Sequence, residues 1–322
     1  FFSIFNSGAI NNIELIKGGM PANYGGRLAS VLDISMKEGN MKKWAVEGGI
    51  GAISSRLTIQ GPIKKDVSSF IVSGRRTYAD IYMPLIINNN KKMLSFKGTS
   101  YFFYDLTTKI KYKISDKDRI FASGYFGRDV FNYNQSNNSF KVKIPWGNAT
   151  GSLRWNHLFN EKLFLNTSLI FSDYKFRFEV KQYDFNMIFF SGIMDYNVKA
   201  DLSYYPSIRH NIKFGANYIY HTFTPSSASA KQGDVVFDTG KIIRQYAHDA
   251  AIYINDEFDW TDRLKVNAGL RYGVFMHVGP FTRFTKDPLG STYDTIVYKT
   301  NEPVKTYQGL EPRLSIRYQL NM

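Results

Sequence analysis

The chain has 322 residues, of which 41 are Lys or Arg and 27 are Asp or Glu, so its formal net charge is +14 at pH 7. Cysteine is absent, which excludes disulfide scaffolds, zinc–thiolate sites and cysteine nucleophiles, and the 43% of hydrophobic residues argue against a disordered protein. Since no apolar run approaches the roughly 18–20 residues of a membrane helix, we expect no helical membrane protein.

The first 41 residues differ from the rest, because they are rich in glycine, asparagine and small residues. Residues 13–34 read as a strand, a glycine-rich turn and a second strand, since Gly18-Gly19 and Gly25-Gly26 tolerate positive φ and close backbone approach. Neither a Gly-Lys-Ser/Thr signature nor a following helical pattern is present, which argues against a phosphate-binding P-loop. The start at Phe1 shows no basic or cleavable leader, so we expect the sequence to begin inside a domain.

From about Ala45 onward, apolar and polar residues alternate with period two in segments of roughly 9–17 residues, the pattern of β-strands. The clearest segments are residues 101–115, 194–205, 210–222, 263–276 and 310–320. Strands of globular proteins have about 5–6 residues, whereas a tilted membrane strand needs about 9–11. The segments are therefore long enough to cross a bilayer and to project beyond it. In residues 163–178 the apolar face switches between Phe171 and Tyr174, which marks either a bulge or the rim of the membrane.

The connections between these segments alternate between short and long. Short polar turns are expected near residues 62–66, 115–118, 160–161, 206–209 and 261–262, and long loops near residues 80–100, 131–146, 181–192, 225–243 and 279–308. This alternation is typical of outer-membrane barrels, which have tight periplasmic turns and longer outer loops. Residues 43–60 change phase and read as two short strands with a tight outer turn near Ala52–Ser54, which brings the count to about 12 strands.

Aromatic residues cluster beside the short turns, at Phe159, Phe164, Tyr204, Phe258 and Trp260. An aromatic girdle at the inner membrane interface would have this distribution. Ordinary core or surface aromatic residues are the alternative interpretation.

The N-terminal segment resembles the end of the plug domain of TonB-dependent outer-membrane receptors. The positions that match its I-E-x-x-x-G and Y-G elements are Ile13, Glu14, Gly18, Tyr24, Gly25 and Gly26. Residues 58–63 are similar to the first periplasmic barrel turn of that family, and residues 251–272 and 310–318 resemble barrel segments of these receptors, notably in Bacteroidota. The resemblance covers nearly the whole chain.

This resemblance implies an all-β fold, a transmembrane antiparallel up-and-down β-barrel with the C-terminal part of a plug domain. Residues 1–41 would be the end of the plug and residues 42–322 the N-terminal part of the barrel, with about 12 of the 22 strands of such transporters. The final residues 319–322 lack the terminal aromatic residue of complete outer-membrane barrels, so we expect a partial chain.

The resemblance also implies that the plug closes the barrel and is displaced by the inner-membrane energy transducer TonB. The plug residues assigned to this gating are Glu14, Lys17, Gly18, Gly19, Tyr24, Gly25, Gly26 and Arg27. The charges expected in the lumen are Lys109, Lys199, Arg271, Glu311, Arg313 and Arg317. We hypothesise that ion pairs between the two sets hold the plug, so that Arg27→Glu would raise passive conductance; plain solvated charges are the alternative.

Other classes of function have little support. The 5 histidines are scattered without metal-ligand spacing, no G-x-S-x-G element is present, and no cofactor is expected. The basic residues alternate along strands and form no recognition helix, which argues against nucleic-acid binding.

The sequence therefore predicts an outer-membrane transporter that imports a ligand such as a ferric chelate, a glycan or a peptide, and that is not an enzyme. The expected partners are TonB, the unknown ligand, and outer-membrane lipid, including lipopolysaccharide whose phosphates the positive charge could complement. A surface lipoprotein or a larger outer-membrane complex is a further possible partner, although residues 24–30 differ from the form common in lipoprotein-paired glycan importers. The alternatives are a receptor-like barrel that serves as a docking or structural component, and a passive porin, which the plug-like residues 1–41 disfavour.

Overall fold

The computed structural model describes residues 6–26, 30–89, 96–135, 139–238, 244–286 and 292–320. In chain order, the strands and the helix are β1 (Ile10–Ile16), β2 (Val31–Met36), β3 (Ala45–Ile50), β4 (Ser54–Lys64), β5 (Ser68–Thr77), α1 (Ala79–Asn88), β6 (Thr99–Lys113), β7 (Asp118–Gln135), β8 (Phe140–Asn160), β9 (Leu163–Gln182), β10 (Phe185–Tyr204), β11 (His210–Gln232), β12 (Val235–Asp238), β13 (Gln245–Thr261), β14 (Leu264–Val278), β15 (Phe281–Lys286), β16 (Thr292–Tyr298) and β17 (Pro303–Tyr318). Within these ranges, no helix is long and apolar enough to cross a bilayer.

One antiparallel sheet dominates the fold. Its path runs β3-β4-β5-β6-β7-β8-β9-β10-β11-β13-β14-β17, so twelve strands follow one another in chain order, and β12 branches from β11. The predicted all-β, up-and-down fold and the predicted strand count are therefore confirmed. In the described part of the chain, β3 and β17 form the two edges of this sheet and do not pair with each other, so the barrel is open.

The N-terminal residues form a small sheet of their own. β1 pairs antiparallel with β2, with Ile16 opposite Val31, which confirms the predicted strand, turn and strand. β3 and β4 are joined by a tight turn in which the Gly51 N–H donates to the Ser54 carbonyl oxygen at 2.9 Å, as predicted from the phase change.

The two faces of the large sheet have the opposite polarity to those of a soluble protein. The buried residues of β6 include Phe103, Asp105, Thr107 and Lys109, at 4–7% exposure, and its exposed residues are Leu106, Ile110 and Tyr112, at 45–47%. Burial of Phe214, Tyr218, Val266 and Leu270 in a dry interior would contradict a barrel; Phe214, Tyr218 and Leu270 are exposed and Val266 is half-buried. We call the side that carries Asp105 the lumenal face and the side that carries Leu106 the outward face. Apolar side chains on the outward face and polar ones on the lumenal face are what a bilayer requires.

Several strands are much longer than a membrane requires. β8, β9, β10 and β11 have 21, 20, 20 and 23 residues, whereas about 9–11 cross the apolar layer. The prediction of irregular loops in residues 131–146 and 181–192 is therefore wrong, because β7 and β8 pair as far as Gln135 and Phe140, and β9 and β10 as far as Gln182 and Phe185.

The other expected long loops also contain regular structure. β11 continues into a hairpin with β12 within residues 225–243, and β15 pairs with β16 within residues 279–308. Helix α1 lies where residues 80–100 were expected to be a loop, and an ion pair of 2.9 Å between Arg76 and Asp80 links its first turn to β5. Each of these loop predictions is therefore corrected, because a hydrogen-bonded element occupies part of the expected loop.

The switch of the apolar face in β9 has a definite cause. β9 keeps an unbroken register with β10 from Leu163 opposite Tyr204 to Gln182 opposite Phe185, so no bulge lies in this pair. Asp173 and Lys175 are the first charged residues of β9 beyond the switch. The switch therefore marks the level at which the strand leaves the membrane.

Most of the predicted girdle residues lie on the outward face. Phe159, Tyr204 and Trp260 are exposed beside the short turns, and Phe258 packs on Trp260 at 5.6 Å between ring centroids. Phe164 is different, because it lies opposite the buried Ser203 in the β9–β10 register and so belongs to the lumenal face.

Because the outward face of the wall is apolar, a charged side chain placed on it should lower the stability of the protein. Val198 is exposed on β10 between Leu169 and Tyr218, in the middle of the apolar belt. We expect Val198→Arg to lower the free energy of unfolding by about 2–4 kcal/mol in lipid vesicles, measured by urea titration with tryptophan fluorescence. Val236→Arg, on the outer β12 hairpin, is the matched control and should change stability by less than about 0.5 kcal/mol. Equal losses for the two variants would contradict a lipid-facing belt.

Candidate functional site

The candidate site is the contact between the lumenal face and the N-terminal segment, defined as described residues 6–26 and 30–41. Three parts of this segment contact the sheet, around Asn6, around Ala22 and around Glu38. Ala22 is fully buried although its neighbours lie in a turn. The segment therefore fits against the wall rather than lying free in the lumen.

Arg313, on β17, is the centre of the largest group of contacts. Its Nη1 donates to the carbonyl oxygens of Met20, Pro21 and Tyr24 at 3.3, 2.9 and 2.5 Å. Its Nη2 donates to Glu311 Oε2 at 2.6 Å, which orients the guanidinium. Within the turn, the Tyr24 N–H donates to the Pro21 carbonyl oxygen at 3.1 Å, and the single cation of Arg313 adds donors for the carbonyls of Met20, Pro21 and Tyr24.

A second arginine holds the same turn from the neighbouring strand. The Ala22 N–H donates to Asn255 Oδ1 at 3.0 Å, and Arg271 Nη1 donates to the Ala22 carbonyl oxygen at 3.4 Å. Arg271 is only 5% exposed, and its Nε lies 3.9 Å from Glu311 Oε1. A Cβ added at Gly25 would overlap the Arg271 guanidinium. Glycine at this position therefore allows the backbone to approach the wall.

Tyr24 closes the turn on the side of β10. Its ring centroid lies 5.9 Å from Lys199 Nζ, and its hydroxyl donates to Asp33 Oδ2 at 2.8 Å. Burial raises the pKa of Tyr24, and the hydrogen bond to Asp33 raises it further. The hydroxyl therefore stays protonated, and its hydrogen bond to Asp33 attaches the turn to β2.

The end of the N-terminal segment is fixed on β5 and β6. Lys109 Nζ donates to the Met36 carbonyl oxygen at 3.1 Å, and Lys111 Nζ pairs with Glu38 Oε2 at 2.5 Å. Ser69 Oγ donates to the Glu38 carbonyl oxygen at 2.7 Å. Lys109 and Lys111 also lie over the Phe121 ring, at 5.4 and 5.9 Å from its centroid.

An open cavity of about 1290 Å³ lies between β2 and the lumenal face of β6–β9. Its lining includes Asp33 and Lys37 from the N-terminal segment and Lys109, Ser123 and Arg154 from the wall. Its lining combines polar and apolar residues, with β2 on one side and the wall on the other.

The structure brings only some of the predicted residues together. Lys109, Lys199, Arg271, Glu311 and Arg313 lie on the lumenal face near the segment, while Arg317 is exposed and pairs with no carboxylate among the described residues. Arg271 and Arg313 contact backbone carbonyls of the segment, whereas the hypothesis proposed pairs between charged side chains.

The plug residues singled out in the sequence also differ from one another. Glu14 and Lys17 are exposed and form no ion pair within the described ranges. A Cβ at Gly18 would meet nothing within 4 Å, whereas Gly19, at φ +58°, packs against Ser315. Gly26 has φ +70°, which favours glycine. Arg27 lies outside the described residues, so its role stays a prediction.

Sequence reasoning did not assign several contact residues of the wall to the site, among them Asn255, Ser69 and Asp105. Asp105 pairs with Arg75 at 2.6 Å and accepts from Asn6 Nδ2 at 3.4 Å. All three occupy lumenal positions in their strands, so the period-two pattern that located the lumenal face could have found them. Groups of His, Asp and Glu suitable for a metal ion do not occur among the residues described.

Comparison with known families agrees with a β-sheet whose outward face is apolar and whose lumenal face is polar. The model of the family described as TonB dependent receptor-like, beta-barrel matches residues 85–321.

The chain belongs to this family of TonB-dependent receptor-like β-barrels. Its members are outer-membrane β-barrel proteins of Gram-negative bacteria, and this chain is accordingly an outer-membrane protein. No curated protein matches the sequence.

Solved structures with the same fold are only distantly related in sequence. The unliganded ferric citrate transporter FecA is 13% identical, with a TM-score of 0.66 over 98% of this chain and 48% of that protein. The pyoverdine receptor FpvA from Pseudomonas aeruginosa PAO1, bound to pyoverdine, is 12% identical, with a TM-score of 0.65 over 98% and 50%. The copper transporter OprC is 10% identical, with a TM-score of 0.65 over 95% and 48%. The chain spans about half the length of these receptors.

The approach of Gly25 to Arg271 predicts a specific defect. We expect Gly25→Ala to displace the guanidinium and to weaken the attachment of residues 18–26 by about 1.5–3 kcal/mol, a roughly tenfold or larger rise in local opening. Limited proteolysis of the full-length receptor measures this opening. Gly18→Ala adds the same methyl group in open space and should leave the cleavage rate unchanged. If both variants are cleaved at the wild-type rate, Arg271 does not hold the turn.

The Glu38–Lys111 pair predicts a pH dependence. Burial acts to raise the pKa of Glu38, but the hydrogen bond and charge of Lys111, together with Lys109 and Arg154, outweigh burial and lower it below its usual 4.5. A lowered folded pKa contributes stability above the unfolded value that is lost as pH falls through the folded one. The protection factors of the amides in residues 36–41, which are exchange rates corrected for the intrinsic pH dependence, should therefore be constant above pH 4.5 and fall below it.

Two glutamate variants control this measurement. Glu38→Gln should abolish the acid-induced change, whereas Glu14→Gln, at an exposed position of the same segment, should retain it. Acid-induced exchange that persists in Glu38→Gln would contradict the assignment.

Proposed function

We propose that this chain is part of a TonB-dependent importer, in which residues 1–41 are the end of the plug and residues 42–322 the first part of the barrel wall. The observation that carries the proposal is the anchoring of the turn at residues 18–26 by Arg313 and Arg271 on the lumenal face. A wide barrel leaks unless its lumen is filled, and a folded segment held against the polar wall fills it.

The hydrogen bonds of Arg313 and Arg271 to the turn suit a plug that has to be displaced. The arginine donors contact carbonyl oxygens, so a small displacement of the turn breaks several hydrogen bonds together, while the charges stay on a polar wall. Each hydrogen bond to a charged group contributes about 1.5–3 kcal/mol, so the group resists thermal opening but yields to a directed pull. TonB is the partner that would supply this pull.

The ligand would enter between the outer hairpins and reach the anchored turn from outside. The cavity beside β2 then gives a displaced plug or a solute a route along β6–β9. We propose a nutrient ligand, such as a ferric chelate, a glycan or a peptide. This mechanism operates equally with or without a surface lipoprotein or a larger assembly.

Uptake by living cells tests the import proposal. We expect at least one nutrient to support growth of the wild-type strain as sole source of iron or carbon, and to fail in strains that lack either the receptor or TonB. A receptor that supports growth equally without TonB would be a passive porin. A receptor whose loss alters no uptake but disrupts an outer-membrane assembly would instead be a docking component.

Conductance of the full-length receptor in planar bilayers tests the anchor. We expect Arg313→Gln to raise passive conductance about tenfold or more, because the carbonyls of Met20, Pro21 and Tyr24 lose their shared donor. Arg317→Gln removes the same charge from the same strand at an exposed position and is the matched control. If Arg313→Gln conducts no more than Arg317→Gln, the contacts of Arg313 do not hold the plug.

A further inference from the structure

A depression lies on the outward face of the wall, across β7, β8, β9 and β10. One register row crosses these strands and consists of Arg128, Gly147, Lys175 and Gly192 in that order. Each glycine leaves the space beside a basic residue without a side chain. The result is a cavity of about 280 Å³, whose lining includes Phe126, Arg128, Asp173, Lys175 and Arg177.

The depression lies at a defined height on the barrel. Just below it, Phe126 is exposed on the outward face and lies opposite Leu106, within the apolar belt. Just above it, β9 carries Arg177, which lies opposite Phe190. Because the outward face of β9 changes from apolar to charged here, the depression lies where lipid headgroups of the outer leaflet meet the wall.

The charges of the depression are arranged for an anion. Lys175 pairs with Asp173 at 2.6 Å, and Arg177 pairs with Glu179 at 2.7 Å. Arg128 is exposed and has no carboxylate partner in the described part of the chain. Arginine binds phosphate with two parallel N–H donors, so Arg128 retains its donors for a phosphate, while the ammonium group of Lys175, which is paired with Asp173, adds further donors.

We propose that this depression binds a phosphate on the headgroup of an outer-leaflet glycolipid, of the lipopolysaccharide type. The phosphate would lie between Arg128 and Lys175, over Gly147, and an acyl chain would descend over Phe126 and Leu106. The apolar belt directly below commits the site to a lipid, since a free anion would gain nothing from it. The inference rests on the outer-membrane location of the chain and is independent of what is imported.

Binding of phosphorylated lipid A to the full-length receptor in detergent micelles tests the proposal. Native mass spectrometry would compare the wild type with the double variant Arg128→Gln, Lys175→Gln, using lipid A with and without its phosphates. Each basic residue at a membrane surface contributes about tenfold or less, so we expect the double variant to bind phosphorylated lipid A roughly ten- to thirtyfold more weakly. Removal of the phosphates should weaken binding to the wild type by a similar factor and leave the variant unchanged.

A charge-matched control separates the site from the overall field of the protein. Lys65→Gln, Lys117→Gln removes two exposed positive charges from the short turns at the opposite end and should bind like the wild type. Equal weakening in both double variants would overturn the proposal, as would equal binding of lipid A with and without phosphate. Full displacement of lipid A by millimolar inorganic phosphate would identify a free-anion site instead. Because Arg128 and Lys175 are exposed, the variants should fold, which gel migration of unheated samples verifies.

Discussion

The structure depends on one constraint, that no backbone N–H or C=O in the apolar layer of a membrane is left without a hydrogen bond. The long antiparallel registers of the twelve-strand path satisfy this constraint strand by strand. Once the backbone hydrogen bonds are formed between strands, apolar side chains can lie on the outside of the sheet and polar side chains on the inside. Leu106 and Val198 then meet lipid while Asp105 and Arg271 are buried on the lumenal face, and the lumenal face becomes the place where charges are available for function.

The contact between wall and N-terminal segment is a consequence of this arrangement. A polar wall offers donors, and the N-terminal segment offers backbone carbonyl oxygens that accept from them. Lys109, Arg271 and Arg313 all donate to such carbonyls. Recognition through the backbone requires that the chain approach closely, which is why a methyl group at Gly25 would be costly.

The period-two alternation of the sequence predicts the strands and their two faces, but little that depends on contacts across the fold. The alternation of residues along a strand is enough to place Lys109 and Arg271 on the lumenal face. The paired ends of β7–β8 and β9–β10 were concealed because asparagine and serine suggest loops, although neighbouring strands satisfy their backbones. The carbonyl contacts of Arg313 could not be predicted, because a carbonyl acceptor leaves no mark in the sequence.

The unbroken β9–β10 ladder has a mechanical consequence for events outside the cell. Two strands of 20 residues each, joined by a two-residue turn, form a rigid hairpin, which cannot fold over a bound molecule as a flexible loop would. Bending is concentrated instead where the ladder is interrupted, at the irregularity between Phe190 and Gly192 in the β10–β11 register. Closure over a bound molecule would therefore be a slow tilt of the whole β9–β10 hairpin relative to the membrane-spanning part of the wall.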